Sequence, residues 1–257
     1  MTVTIESRAS CVVLTLDQPA KLNALSAVMI EELRQAFEQI ETRSEVRCVI
    51  LTGAGDKAFS AGTDIRELTH LEEDDARKVS ERGQALCNQI ESCAVPVIGA
   101  INGIAAGGGC ELALACHIRI ASENARFSLP ESKLGIIPGY GGTQRLARAI
   151  GTGRALEMML TGKTVGAEEA LQIGLVNRLA TAQDLLADAE SLAGEISRLA
   201  PLAIRACLKA VKLGIDLPLP EGLALEAELF AALFATEDMR EGTSAFLEKR
   251  QPAFKGR

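Results

Sequence analysis

Apolar positions along this chain recur with two periods. In SAVMIEELRQAFEQIET (26–42), Met29, Leu33, Phe37 and Ile40 return every three or four residues. That spacing is one face of an amphipathic helix, and Ser26 stands at its N-cap position. Four short apolar runs read instead as strands: SCVVLTL (10–16), RCVILTG (47–53), VPVIGAI (95–101) and HIRIA (117–121). Strands that are apolar on both sides and alternate with helices predict an α/β protein with a parallel sheet covered on both faces. The longest apolar stretch, 93–116, is long enough to cross a bilayer. It contains Pro96, Asn102, Glu111 and five glycines, so a strand, a tight loop and a helix account for it better.

The pattern changes near Pro201. Beyond it the chain predicts three helices, at 201–213, 220–235 and 237–250. The middle one carries Leu223, Leu225, Leu229, Phe230, Leu233 and Phe234 over more than one face. Such a helix needs more than one partner. A subunit interface supplies one; burial between the core and its neighbours in the same chain is the other reading. The predicted organisation is a core over 1–200 and a helical oligomerisation region over 201–257.

Composition narrows the function. Of 257 residues, 47% are apolar, enough for a sizeable core rather than disorder. The net charge of −7 argues against a nucleic-acid surface, and an anionic ligand would need local Lys and Arg. The N-terminus MTVTIESRAS has neither the basic nor the apolar segment of a signal peptide. Seven cysteines without a CxxC pair read as reduced thiols of a cytoplasmic protein. Two histidines leave little for a zinc site or a Ser-His-Asp triad.

Two loops carry the chemistry. GIAAGGGCELALAC (103–116) places three glycines between a strand and a helix start, with a lone carboxylate, Glu111, in the first helical turn. Backbone N–H groups at such a start face whatever lies over the loop, and glycine allows close approach. A tight turn or close helix packing would use the same glycines. AFSAGTDIREL (58–68) repeats the arrangement after the strand at 47–53, with Asp64 near a cap position. Two such loops can aim two N–H donors at one oxygen, as in an oxyanion hole. Glu131, after Pro130, is a second carboxylate in an apolar context. Apolar surroundings raise proton affinity and suit acid–base work; a helix-dipole role for Glu111 and a capping role for Glu131 are the plainer alternatives.

At this point six motifs in order resemble the enoyl-CoA hydratase/isomerase (crotonase) superfamily over nearly the whole chain. They are KLNALS (21–26), AFSAGTDIREL (58–68), INGIAAGGGCELALAC (101–116), RFSLPESKLGIIPGYGGTQRL (126–146), LTGKTVGAEEALQIGLVNRL (160–179) and SAFLEKR (244–250). The resemblance implies a spiral of ββα repeats holding an acyl-CoA site, followed by a helical trimerisation region, commonly in hexamers of two trimers. It implies hydration of a trans-2-enoyl-CoA to a 3-hydroxyacyl-CoA. The backbone N–H groups of Thr63 and Gly108 would hold the thioester oxygen, and Glu111 and Glu131 would hold and activate the water. No metal or redox cofactor is expected, since coenzyme A is part of the substrate. Lys21, Leu22 and Ala24 match positions along the coenzyme A path; Ala61, Asp64 and Ile65 match positions near the adenine. Arg66 keeps a positive charge for a phosphate. Phe230, Phe246 and Lys249 match positions that reach the ligand, some from a neighbouring subunit; core or interface packing is the alternative for the two phenylalanines.

Three residues depart from the pattern or stand out in it. Thr63 replaces a more usual alanine and adds bulk beside the acyl pocket. His117 stands where an aspartate is usual, which predicts a packing role. Tyr140, the only tyrosine, lies near the expected acyl pocket, where it would bound chain length. The nearest rival activity on the same fold is Δ3,Δ2-enoyl-CoA isomerisation, which needs one effective carboxylate. Other acyl-CoA reactions of the superfamily and a non-catalytic acyl-CoA-binding relative complete the alternatives. Acyl chain length and metabolic pathway stay open.

Overall fold

The apolar runs become neighbouring strands of one sheet. The computed structural model describes residues 1–9 and 11–257; Ser10, at the start of the predicted 10–16 strand, lies outside the described residues. The chain opens with β1 (Val3–Ser7), β2 (Val12–Leu16) and helix α1 (Ala27–Glu41). Ser26 caps α1 by accepting the Met29 N–H at 3.3 Å, and Met29, Leu33, Phe37 and Ile40 are all buried.

Three ββα turns follow. They are β3 (Val49–Gly53), β4 (Ala58–Ser60) and α2 (Glu73–Glu91); β5 (Val97–Ile101), β6 (Ile104–Ala106) and α3 (Gly108–Ala115); and β7 (Ile118–Ser122), β8 (Arg126–Ser128) and α4 (Gly142–Ile150). The first strand of each turn enters a six-stranded sheet of order β1-β2-β3-β5-β7-β10. The second enters a four-stranded sheet of order β4-β6-β8-β9. The remaining elements are α5 (Thr152–Thr161), β9 (Val165–Gly166), α6 (Ala167–Gln172), β10 (Arg178–Ala180) and α7 (Leu185–Ser197). From β2 to β10 the large sheet is parallel; β1 is antiparallel to β2.

Both faces of the large sheet are covered, as the runs predict. Leu14, Leu16, Leu51 and Ile101 join one core with the faces of α1, α2 and α3. Val13, Ile50, Ile98 and Ile120 point the other way, onto Leu185, Ala189 and Leu192 of α7. β4 and β6 are parallel neighbours, so the glycine loops that follow them lie side by side at one end of the small sheet. The apolar stretch 93–116 resolves into β5, β6 and α3, and no helix among the described residues is long and apolar enough to cross a membrane.

After Ala200 only helices follow: α8 (Pro201–Gly214), α9 (Leu219–Leu233) and α10 (Glu237–Glu248). Each predicted helix is present, with ends shifted by up to two residues. No residue of α8 or α9 is buried. Phe230 and Phe234 meet with ring centres 5.0 Å apart and planes tilted by 59°, and remain 62% and 51% exposed.

Candidate active site

Asn102 closes the ends of two strands. Its Nδ2 donates to the carbonyls of Gly53 and Gly55 at 2.9 and 2.8 Å. The chain then runs through β6 to Gly107, whose φ of +51° suits glycine alone at low cost, and α3 begins at Gly108. As the first residue of a helix, Gly108 has an N–H with no intrahelical acceptor. The 58–66 loop lies directly against it. A Cβ on Gly62 would stand 2.5 Å from the Ala106 carbonyl oxygen and 3.0 Å from the Gly108 nitrogen. Thr63 follows, its N–H without a backbone acceptor among the described residues. The two N–H groups expected to form an oxyanion hole thus belong to touching loops.

Glu111 is buried one turn into α3. Its Oε1 accepts the N–H groups of Tyr140 at 2.8 Å and Gly142 at 2.6 Å, which fixes the carboxyl plane. Burial pushes its pKa up to about 7; those N–H groups oppose the rise and the nearby Glu131 adds to it. Glu131 begins a 3-10 turn, Glu131–Leu134. Burial raises its pKa too. A Cβ on Gly107 would lie 2.9 Å from Glu131 Oε1, while Oε2 is buried without a hydrogen-bond partner among the described residues. Two proton-loving carboxyls therefore converge beside two free N–H groups. All four residues line one cavity of about 1190 Å³, bounded by α2, α3, α4, the 58–66 loop and α8.

The residues expected to meet coenzyme A divide into two groups. Ala61 donates its N–H to the Leu22 carbonyl at 2.9 Å, Leu25 to Gly62 at 2.8 Å, and Asp64 to Leu25 at 3.3 Å. These bonds bring Lys21, Leu22, Ala24, Ala61, Asp64, Ile65 and Arg66 together; Ala61 and Ile65 also line the cavity. Arg66 is bidentate on Asp64 at 2.9 and 2.6 Å. The bonds from Arg66, with Lys21 adding its charge, hold the Asp64 carboxyl down at about 2. Phe230, Phe246 and Lys249 stand apart: all three are exposed, on or just after α9 and α10, and none lines the cavity of the single chain.

His117 is partly buried immediately before β7 and also lines the cavity. Its Nδ1 accepts the Val97 N–H at 2.9 Å, so Nε2 carries the proton and faces the Glu91 carbonyl at 3.3 Å. Burial lowers its pKa, which keeps the ring neutral. Sequence reasoning missed three contributors. The N–H groups of Tyr140 and Gly142 orient Glu111, a backbone role that PGYGG, read as a turn with Tyr140 near the acyl pocket, did not signal. Gly83 of α2 faces the Tyr140 ring, and a single glycine in a helix carried no signal. Leu208 and Val211 of α8 also line the cavity, although that helix reads as part of an oligomerisation region.

A sequence profile described as enoyl-CoA hydratase/isomerase matches residues 6–257. The chain is 43% identical over 256 residues to the short-chain-enoyl-CoA hydratase of Clostridium acetobutylicum, covering 99% of this chain and 98% of that one. It is 40% identical over 252 residues to the crotonyl-CoA hydratase of Syntrophomonas wolfei, covering 98% and 97%. The crystal structure of an enoyl-CoA hydratase from Bacillus anthracis superposes with a TM-score of 0.97 at 40% identity, over 100% of both chains.

Proposed function

We infer that this chain, which belongs to the enoyl-CoA hydratase/isomerase family, is an enoyl-CoA hydratase that adds water across the C2=C3 bond of a trans-2-enoyl-CoA. The observation that carries the mechanism is the pair of buried carboxyls. Glu111 is pinned through Oε1, and Glu131 keeps Oε2 unpaired in the same cavity. The N–H groups of Thr63 and Gly108 donate to the thioester oxygen. They stabilise the negative charge that gathers there as the enolate forms, at the positive end of α3. Water sits between the carboxyls. Glu131 accepts a proton from it as its oxygen bonds to C3, and a proton returns from the pair to C2, giving the 3-hydroxyacyl-CoA. Protons within a coupled pair belong to the pair. No metal or redox cofactor enters this step.

Lys21 and Arg66 supply the local positive charge that the phosphates of coenzyme A require on a chain of net charge −7. Residues 201–257 form an oligomerisation region on this reading, and the protein is a homotrimer or a hexamer of two trimers. Phe230, Phe246 and Lys249 then reach the ligand across a subunit boundary, which their exposure in the single chain supports. The seven unpaired thiols support a cytoplasmic location.

The test is the loss of enoyl absorbance with crotonyl-CoA. Wild type turns over, and Glu111→Gln and Glu131→Gln each lose about 10²–10⁴-fold in kcat or more. Wild-type protein that binds enoyl-CoA thioesters but leaves the double bond intact overturns the reading.

A further inference from the structure

Tyr140 occupies a slot built for it. A Cβ on Gly83 of α2 would collide with its ring atoms, and one on Gly108 of α3 would come within 3.1 Å of the opposite ring edge. The ring therefore fills the gap between two helices that lack side chains at the points where it touches them. Gly83 is buried and does not line the cavity, whereas Tyr140 does, so the ring is the wall that separates them. Thr63 thickens the same wall: its Oγ1 lies 3.1 Å from the same Cβ position on Gly108. The Tyr140 backbone is tied to the chemistry, because its N–H holds Glu111. The phenol oxygen is buried, with the Thr63 side chain as its polar neighbour.

We propose that Tyr140, seated on Gly83 and Gly108, is the specificity-determining residue that stops the acyl chain and confines turnover to short enoyl thioesters. The inference rests on the hydratase reading above. With the thioester oxygen on Gly108 and C3 at the carboxyls, an acyl chain that continues past Glu111 toward its anchor, Tyr140, is met by the ring, which borders the cavity there. Without the ring, the slot opens to the bare backbone of α2 at Gly83 and becomes part of the cavity. One methylene too many in a closed apolar pocket costs about 10–200-fold in kcat/KM, so a wall at this depth separates chain lengths sharply.

The experiment compares kcat/KM for crotonyl-CoA, trans-2-hexenoyl-CoA and trans-2-decenoyl-CoA in wild type, Tyr140→Ala, Tyr140→Leu and Gly83→Ala, with each fold checked by circular dichroism. Wild type prefers crotonyl-CoA to decenoyl-CoA by about 100-fold or more. Tyr140→Ala raises the decenoyl-to-crotonyl ratio at least about tenfold. Tyr140→Leu, which keeps more of the packing, raises it in the same direction and decides the matter if the alanine variant does not fold. Gly83→Ala pushes the ring into the cavity and lowers the hexenoyl-to-crotonyl ratio. Equal use of decenoyl- and crotonyl-CoA by wild type, or a ratio unmoved in a folded Tyr140 variant, overturns the proposal while leaving the hydratase intact. Binding without hydration at every chain length overturns the hydratase reading, and this proposal with it.

Discussion

Glu111 divides its two oxygens between structure and chemistry. Oε1 is committed to two backbone N–H groups, so only the other oxygen is free for substrate or water. A glutamine preserves that anchor, since its carbonyl oxygen accepts both bonds. Burial holds the native carboxyl near 7, against the ordinary 4.5. One pKa unit is about 1.4 kcal/mol, so keeping Glu111 ionised in the folded state costs on the order of 3 kcal/mol. The sign follows from the raised value. Below about pH 4.5 the group is protonated folded and unfolded, and there is no penalty; the penalty grows as pH rises and is complete above about 7. Glu111→Gln is therefore expected to be nearly inactive yet more stable than wild type at pH 8. That advantage should fade toward pH 4.5 in urea titrations of both proteins. At the other end of the ligand path, Lys21→Glu puts a second negative charge beside Asp64. It should raise KM for crotonyl-CoA about tenfold or more with kcat within a few-fold, the pattern of lost uniform binding. An equal fall in kcat would place Lys21 in the chemical step instead.

The elements carry this site by close approach. Helix α3 meets β4 backbone to backbone: a Cβ on Gly109 would collide with the Ser60 carbonyl oxygen. Gly109→Ala must push the helix off the strand, and overpacking of this kind costs about 1–3 kcal/mol. It also displaces Gly108, so a fall in melting temperature should come with a fall in kcat. Stability lost with kcat intact would show that the helix start tolerates movement. Helix α1 gives the contrasting case, since Ser26 caps it without lining the cavity. Ser26→Ala should cost about 1 kcal/mol by denaturant midpoint and leave kcat/KM unchanged.

At the scale of the molecule, the last two long helices are unfinished surfaces. Leu219, Leu223, Phe230 and Phe234 of α9 and its end, and Phe246 and Leu247 of α10, are all at least half exposed. Apolar exposure of this extent on neighbouring helices marks an interaction surface. Sedimentation equilibrium should return three or six times the 27.2 kDa chain mass. Phe230→Glu should shift the distribution to smaller species and weaken coenzyme A thioester binding at the same time. Wild type that sediments as a monomer and is fully active would assign these helices to another purpose.

Periodicity along the chain was enough for α1, the four central strands and the three terminal helices, because each is long enough to show its period or its apolar run. The two glycine loops and both carboxyls were legible too, since three consecutive glycines and isolated acids in apolar runs are costly unless something uses them. Strands of two or three residues such as β4, β6, β8 and β9 show no period, so the second sheet, and with it the ββα repeat, came only from the resemblance of whole motifs. Other features exist only once distant segments meet. Glu111 takes its orientation from N–H groups some thirty residues away in the chain. Gly83 matters because a ring from position 140 lies on it. The proton affinity of Glu111 and Glu131 depends on how much water the assembled walls exclude, and burial of that kind is a property of packing in three dimensions, which no local stretch of residues encodes.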